Sequence, residues 1–343
     1  MKKEKLIRKD GLDILKLICA FFIICIHKPF YGEIGKYIVA ISRCAVPIFF
    51  MITGFFYKRT IDNGNENKQL IKILKLFWLS NLLYFIYNIV NYMMRNVKIN
   101  VLLENIFSLN SIKNMLIFNE SSIASHLWYL HALLYVLIIM KFINKYDKYK
   151  ALEVATPFLL LTDLVLGKYS LVFLKTEIPF IYVRNFLFVG LPYFCIGNYI
   201  HKILESKKLD NKKYLLLLIL TFSVTTILER YILVEFNVNA VRDHYISSTF
   251  LAIFLFMYFL NYNVSDRNFI TKGLSKIGRS CSTKIYIFHV IIINILTRSL
   301  KGNRLYTYIA PIYIFICTVL VCLIYENLKK SITMVRERIK NER

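Results

Sequence analysis

The sequence is poor in the residues that define several common classes of protein. Its 343 residues include only 11 glycines, 6 prolines and 7 cysteines, and Asp and Glu number 21 against 45 Lys and Arg. Collagen-like, low-complexity and disulfide-scaffold proteins need far more glycine, proline or cysteine. Only 19% of the residues are charged, whereas a soluble domain averages about 25%. These shortages exclude the fibrous and disordered classes and argue against an ordinary soluble enzyme.

Apolar residues are what the sequence has in abundance. They make up 57% of the chain, and the mean hydropathy is +0.51. A helix needs roughly 20 apolar residues to cross a hydrocarbon core of about 30 Å. Ten runs fit this requirement: Leu12 to Phe30, Tyr37 to Tyr57, Leu70 to Met93, Leu127 to Phe142, Ala151 to Gly167, Asn185 to Ile203, Tyr214 to Tyr231, Tyr245 to Tyr262, Ile285 to Leu300 and Tyr306 to Leu328. The sequence therefore predicts an all-α polytopic membrane protein with about ten transmembrane helices.

The formal net charge of +24 raises the question of a nucleic-acid partner. The basic residues instead lie between the apolar runs, 30 in the segments on the side of the N-terminus and 13 on the other side. The positive-inside rule then predicts that both termini are cytoplasmic, and no nucleic acid is needed to explain the charge. We expect a cytoplasmic basic tail over residues 1–10, a membrane domain over 11–328 and a second cytoplasmic tail over 329–343.

The cysteines give no sign of a metal centre. They are odd in number and have no CxxC spacing, and most of them lie within apolar runs. This pattern is typical of small buried hydrophobic residues rather than of ligands. We predict no metal site and find no glycine-rich phosphate loop.

Three ionisable residues interrupt the first apolar run. Ionisable residues inside a membrane span are costly and mark candidate functional sites. Lys16 and His27 are eleven residues apart, which places them on one face of a helix about 16 Å apart. Asp13 can form an ion pair with Lys16 across one turn. The alternative is that Asp13 and Lys16 reach the cytoplasmic interface while His27 lies among the outer headgroups.

Arg43 interrupts the second run in the segment SRCAVPIFFMITGFF. Both Arg43 and His27 lie near the outer ends of their spans, so we expect them at similar depths. An imidazole beside a guanidinium there would combine a reacting group with an anion stabiliser. Arg43 could instead extend to the interface.

Further polar and aromatic residues are predicted at the same outer level. His126, Trp128 and Tyr129 open the fourth run, and Arg184 and Asn185 open the sixth. Aromatic rings and an arginine suit contact with carbohydrate or phosphate. They suit an interfacial aromatic belt equally well.

Two residues near the start of the ninth run are predicted on the opposite side. The segment STKIYIFHV enters that run from the cytoplasm, which would bring Tyr286 and His289 close to the level of Lys16. They are candidate donor-binding residues. A lone histidine there could also be a packing residue.

Taken together, these motifs resemble the membrane acyltransferase-3 family. The opening GLDILKLICAFFIICIH resembles its first helix, in which a basic residue, ten intervening residues and a histidine form the motif; Lys16 stands where arginine is more usual. RCAVPIFFMITGFF resembles its second helix, with Thr53 where serine is common. HLWYL, RNFLFVGLPYFCIG and STKIYIFH resemble later segments in the same order.

The resemblance implies transfer of an acyl group, usually acetyl from cytoplasmic acetyl-CoA, to a hydroxyl of an envelope polysaccharide or glycolipid outside a bacterial cell membrane. His27 would be the catalytic residue, as general base or as transient acyl carrier. Lys16 would serve the donor, and the expected partners are the acyl-CoA, the envelope acceptor and the lipid bilayer.

Two other classes of function remain open at this point. The chain is also similar to the membrane half of vancomycin-resistance serine racemases, for which amino-acid uptake is the proposed role, and polar residues in spans also mark transport pathways. A non-enzymatic membrane protein that keeps the fold without the chemistry is the third class, although His27 argues against it.

The predicted orientation can be tested by labelling single cysteines in a background that lacks the native ones. Ser108→Cys lies in the segment 95–125, which the charge distribution puts outside. An impermeant maleimide should therefore label it in intact cells. Labelling that requires permeabilised cells would reverse the predicted orientation.

Overall fold

The computed structural model of the chain describes residues 9–206, 211–262 and 268–341. Within these ranges the chain forms α-helices and no β-strands, because apolar segments in lipid must satisfy their backbone hydrogen bonds internally. The α-helices are α1 Asp10–His27, α2 Gly32–Ser42, α3 Ala45–Asp62, α4 Glu66–Met94, α5 Ile99–Phe107, α6 Leu109–Phe118, α7 Trp128–Lys145, α8 Tyr149–Leu166, α9 Ser170–Phe173, α10 Phe180–Val183, α11 Leu191–Ser206, α12 Lys212–Glu235, α13 Ile246–Leu260, α14 Phe269–Ser299 and α15 Arg304–Asn341. A 3₁₀ turn, Ser125–Leu127, precedes α7, and a π-helical turn, Phe186–Gly190, precedes α11.

Seven helical segments of the described chain are long and apolar enough to cross a membrane. They are Gly32–Asp62, Glu66–Met94, Ser125–Lys145, Phe186–Leu204, Lys212–Glu235, Phe269–Ser299 and Arg304–Met334. The predicted all-α polytopic membrane fold is confirmed.

The remaining three predicted spans coincide with α1, α8 and α13. Two of these helices have 18 residues and carry three charged side chains each, and α13 has only 15 residues. The number of ten crossings and the cytoplasmic position of both termini stay predictions.

Several helix boundaries differ from the predicted ones. The helix of the ninth span begins at Phe269 rather than near Ile285. A turn at Arg43 and Cys44 separates α2 from α3 within the second span. The last helix runs on through 329–341, most of the predicted C-terminal tail, and residues 1–8 of the N-terminal tail lie outside the described ranges.

The chain divides into two compact units. The first unit comprises Met1–Ala45, Asp210–Ile227 and Phe250–Arg343, and the second comprises Val46–Leu209 and Leu228–Thr249.

In the first unit, α1 packs along α14 with the two helices running in the same direction. Ser275 donates a hydrogen bond to Asp10 at 3.2 Å near the start of the pair, and the rings of His27 and His289 meet at its far end. Gly278 makes the close approach possible, because a Cβ atom there would lie 1.9 Å from the backbone oxygen of Asp13. The glycine therefore sets the separation and register of the two helices.

The last helix completes this core and bends near its beginning. Buried residues of α1, α14 and α15 form one apolar cluster that includes Leu17, Ile24, Ile285 and Ile314. Pro311 lies inside α15, and Ile309 has non-helical backbone angles (φ −121°, ψ 27°). Proline cannot donate the backbone hydrogen bond of a helix interior, so the bend has a local cause.

In the second unit, α3 and α11 cross in backbone contact. A Cβ atom on Gly54 would lie 1.9 Å from the backbone oxygen of Phe194, and one on Gly197 would lie 2.0 Å from that of Met51. Phe50, Tyr193 and Phe194 are fully buried around this crossing. Glycine at both points allows the two helices to pack without intervening side chains.

The contact at Gly278 predicts that the effect of an alanine substitution on the stability of the protein depends strongly on its position along α14. Gly278→Ala should destabilise the protein by about 1–3 kcal/mol, since the new methyl group overlaps the backbone of α1. Gly273→Ala is the matched control, because open space surrounds that glycine, and it should be neutral or stabilising by about 0.5–1 kcal/mol. Thermal unfolding of both purified variants in detergent measures the difference. Equal melting temperatures would contradict the proposed role of Gly278.

Candidate active site

The first helix carries the two residues of the predicted motif on one unbroken segment. It is rich in Leu and Ile, and it ends at His27, just before Lys28 and Pro29, because the residue before a proline disfavours helical geometry. Lys16 and His27 are therefore separated by three helical turns, about 16 Å along the axis. Their common face and their separation are as predicted.

Charged groups from two helices meet at the Lys16 end. The Lys16 Nζ lies 3.0 Å from one carboxylate oxygen of Asp13, and the Arg279 Nε lies 3.9 Å from the other. Asp13 is buried, whereas the side chains of Lys16 and Arg279 are 27% and 47% exposed. One buried carboxylate thus holds two cations that remain accessible, an arrangement suited to binding an anionic group.

Arg279 was not among the residues predicted from the sequence. It lies in the segment 267–284, which the hydropathy pattern assigns to a loop. The structure places it on α14 instead, next to the Gly278 contact that brings it to Asp13.

Two imidazoles meet at the other end of the same helix pair. The rings of His27 and His289 have centroids 4.9 Å apart and are inclined at 55°. His27 is exposed and His289 is fully buried. The His289 Nδ1 lies 2.8 Å from the backbone oxygen of Tyr286 and 3.1 Å from that of Ile285. Because a carbonyl oxygen only accepts, Nδ1 carries the donated proton and Nε2 is the basic nitrogen of the neutral ring.

The prediction that Tyr286 and His289 lie at the same depth as Lys16 is wrong. Both were expected beside Lys16, but the residue of α14 that lies level with Lys16 is near Cys281, three positions after the Gly278 contact with Asp13. His289 lies beyond it by about two turns, next to His27. The error arose because α14 begins before the apolar run does, so that His289 is much further along its helix than the hydropathy pattern indicates.

Arg43 directly follows the last residue of α2 and is half-buried. It does not lie inside a continuous helix, as the predicted second span implied. The expected similar depth of Arg43 and His27 is also wrong, because α2 begins at Gly32, close to the end of α1, and Arg43 follows eleven residues later, about 16 Å further along. A cation at a helix C-terminus is favoured by the exposed carbonyl groups there. The backbone amide of Arg43 itself bonds to the carbonyl of Ala40 at 3.3 Å.

The second unit holds the other predicted outer residues. The Arg184 guanidinium stacks between two rings, 4.0 Å from the centroid of Phe180 and 5.1 Å from that of Trp128. His126 is buried with its ring against that of Tyr84 at 4.6 Å. These are cation–π and ring–ring contacts that position the side chains firmly.

Two of the predicted residues have local structural contacts. The Asn185 side-chain oxygen accepts hydrogen bonds from the amides of Leu187 and Phe188 at 2.9 and 3.1 Å, and so caps the π-helical turn. The ring of Tyr129 packs against Phe50 at 4.8 Å.

The sequence reasoning missed a buried pair in this unit. The His244 Nδ1 lies 2.8 Å from a carboxylate oxygen of Asp163, and both side chains are only 4% exposed. With Arg184 and Arg242 they line one small cavity. Asp163 is an ionisable residue within the predicted fifth span, so the cost of burying its charge was the available signal.

The described residues contain no group of three or more His, Cys, Asp or Glu side chains placed to hold a metal ion. The cysteines are free thiols and six of the seven are buried, as their positions in apolar runs predicted.

Comparison with known proteins gives two relatives, both from Enterococcus faecalis and both named amino-acid racemase. One is 25% identical over 368 residues, which cover 98% of this chain and 48% of the relative. The other is 27% identical over 214 residues, which cover 56% of this chain and 28% of the relative. The chain thus spans about half the length of the first relative and a smaller part of the second. No solved structure matches it significantly.

The family comparison covers almost the whole chain and agrees with the motifs on α1, α3, α7, α11 and α14. The family model described as Acyltransferase domain matches residues 9–326. This chain is therefore a member of the acyltransferase-3 family.

Proposed function

We propose that the protein transfers an acyl group, most simply acetyl, from cytoplasmic acyl-CoA to a hydroxyl of an envelope polysaccharide or glycolipid on the outer side of the cell membrane. The observation that carries the proposal is the arrangement of α1 and α14. Accessible cations lie at one end of this pair, and an exposed imidazole supported by a second imidazole lies at the other.

The cationic end suits the phosphates of coenzyme A. Lys16 supplies a point charge and Arg279 a planar fork, and both are held by Asp13. The pantetheine arm of coenzyme A, when extended, is comparable in length to the three turns between Lys16 and His27. A donor whose phosphates bind beside Lys16 would thus bring its thioester close to His27.

His27 is proposed as the general base. Its imidazole accepts the proton of the acceptor hydroxyl while the hydroxyl oxygen forms a bond to the thioester carbonyl carbon. When the tetrahedral intermediate collapses, the carbon–sulfur bond breaks, and the imidazolium returns its proton to the coenzyme A thiolate. The products are the acylated acceptor and coenzyme A.

His289 is proposed as a positioning residue for this step. Its Nδ1 donates to backbone carbonyls of its own helix, which fixes the orientation of the ring and keeps Nε2 basic. Packed against His27, this ring limits the orientations of the catalytic imidazole.

Replacing Lys16 should weaken donor binding. Lys16→Ala should raise the KM for acetyl-CoA by about tenfold or more, since a hydrogen bond to a charged group contributes about 1.5–3 kcal/mol. Lys16→Arg should retain most of the affinity. The matched control is Lys58→Ala, because Lys58 lies on the same predicted side of the membrane in an exposed ion pair with Asp62. Kinetics of purified protein in liposomes supply the measurement, and an unchanged KM in Lys16→Ala would leave Lys16 an interface anchor.

Replacing His27 should strongly slow acyl transfer without affecting insertion of the protein into the membrane. His27→Ala should lower acetyl transfer by about 10²–10⁴, the range typical for loss of a general base. His201→Ala serves as the histidine control, because His201 packs against Phe55 in the second unit.

The assay uses liposomes with labelled acetyl-CoA on one side and acceptor on the other. Near-normal transfer by His27→Ala would remove His27 from the mechanism. An acyl group covalently trapped on His27 of the native protein would replace the general-base role with an acyl-carrier role. Uptake of serine by the same liposomes without acetyl transfer would favour a transporter.

A further inference from the structure

The first unit contains an open cavity of about 550 Å³ immediately beyond His27. Two segments line it: the connection from α1 into α2, and the connection from α14 into α15. Lys28, the residue after His27, is part of its wall. The cavity is thus at the imidazole end of the α1 and α14 pair, three helical turns from the cations proposed to bind the donor.

The cavity wall has an excess of positive charge. Lys28, Lys36 and Lys301 line it together with one carboxylate, Glu33, and the Lys36 Nζ lies 2.6 Å from that carboxylate. Lys28 is placed over the ring of Tyr306, 5.7 Å from its centroid, and Lys301 is exposed. The excess of two positive charges favours an anionic ligand, and lysine is a common ligand of phosphate in proteins.

The remaining wall offers hydroxyl groups and aromatic surface. The hydroxyls of Thr297 and Tyr306 lie 3.0 Å apart. Tyr31 is 61% exposed, and its ring meets that of Tyr308 edge-on at 5.0 Å. Such groups suit the hydroxyls and the C–H faces of a polyol or sugar.

Two glycines keep this cavity open. Gly32 and Gly302 have φ values of +75° and +84°, which glycine adopts readily and other residues do not. Both line the cavity, and apart from the adjacent residues of the chain no atom lies within 4 Å of the position of a Cβ on either. The tight turns they form bring the two connections around the open volume without filling it.

We propose that this cavity binds the acyl acceptor, and that the acceptor is a polyol or sugar joined to a phosphate diester. The inference rests on the proposed acyltransferase function and assigns it a substrate class. The phosphate oxygens accept hydrogen bonds from Lys28 and Lys301, and the neighbouring hydroxyl is directed to His27. The same chemistry occurs in a polymer of polyol phosphate and in a glycerol phosphate lipid headgroup.

Acceptor binding can be measured without the donor. The purified full chain in neutral nanodiscs is titrated with fluorescent poly(glycerol phosphate) and, separately, with neutral dextran of similar length. The polymer should bind at least tenfold more tightly than dextran, and its binding should weaken with salt as screening increases. Equal affinity for the two polymers would overturn the proposal.

Variants of the cavity lysines test the location of the site. Lys28→Ala and Lys301→Ala should each weaken polymer binding by about tenfold, and Lys301→Glu should weaken it further. Lys113→Ala is the control, because Lys113 is an exposed lysine on the same predicted side of the membrane and outside the cavity. Full retention of binding in Lys28→Ala and Lys301→Ala would place the acceptor elsewhere and overturn the inference.

Transfer assays separate this inference from the proposed function. With labelled acetyl-CoA, the native protein should acetylate poly(glycerol phosphate) or phosphatidylglycerol in vesicles in preference to dextran, and the two anionic acceptors distinguish polymer from lipid. Preferential transfer to dextran would overturn the acceptor class while the acyltransferase function stands. Lysine-dependent binding of the polymer without transfer to any acceptor would instead sustain the binding site and refute the proposed function.

Discussion

The backbone contact between α1 and α14 at Gly278 determines the arrangement of the proposed donor and catalytic residues. Because no side chain separates the two helices there, Asp13 meets Arg279 at one end, and His27 meets His289 at the other. A shift of one turn along either helix would separate both pairs at once. The proposed chemistry of this unit thus depends on Gly278, a residue that contributes no side chain to the site.

The hydropathy pattern was sufficient to predict the helical membrane fold and the helix that carries Lys16 and His27. Both features depend on local sequence, since apolar runs form helices and a fixed spacing sets the common face. The start of α14 was not predictable in the same way, because its first turns carry Lys276 and Arg279 and do not look like part of a span. The turn between α2 and α3 does have a signal in the sequence, because Pro47 has no amide hydrogen to donate to the carbonyl of Arg43, four residues earlier.

The pairs that join distant segments were beyond sequence reasoning for a different reason. His27 and His289 are far apart in the chain, and their meeting depends on the register of two helices. Asp163 and His244 meet in the same way, 81 residues apart. Because burying an ion is costly, the sequence can indicate that one ionisable residue in an apolar run needs a partner. Only the tertiary packing shows which residue that partner is.

The bend in α15 has a consequence for the rim of the cavity beyond His27. Pro311 has no amide hydrogen to donate to the carbonyl of Thr307, so the first turn of α15 is joined to the rest of the helix by fewer hydrogen bonds than a regular turn. Tyr306 and Thr307 lie on that turn and line the cavity, and Tyr306 also belongs to the buried apolar cluster that continues beyond the bend at Ile314. One side of the cavity is therefore formed by a helical turn with fewer backbone hydrogen bonds than the helix that follows it, and the burial of Tyr306 fixes that turn against α1 and α14.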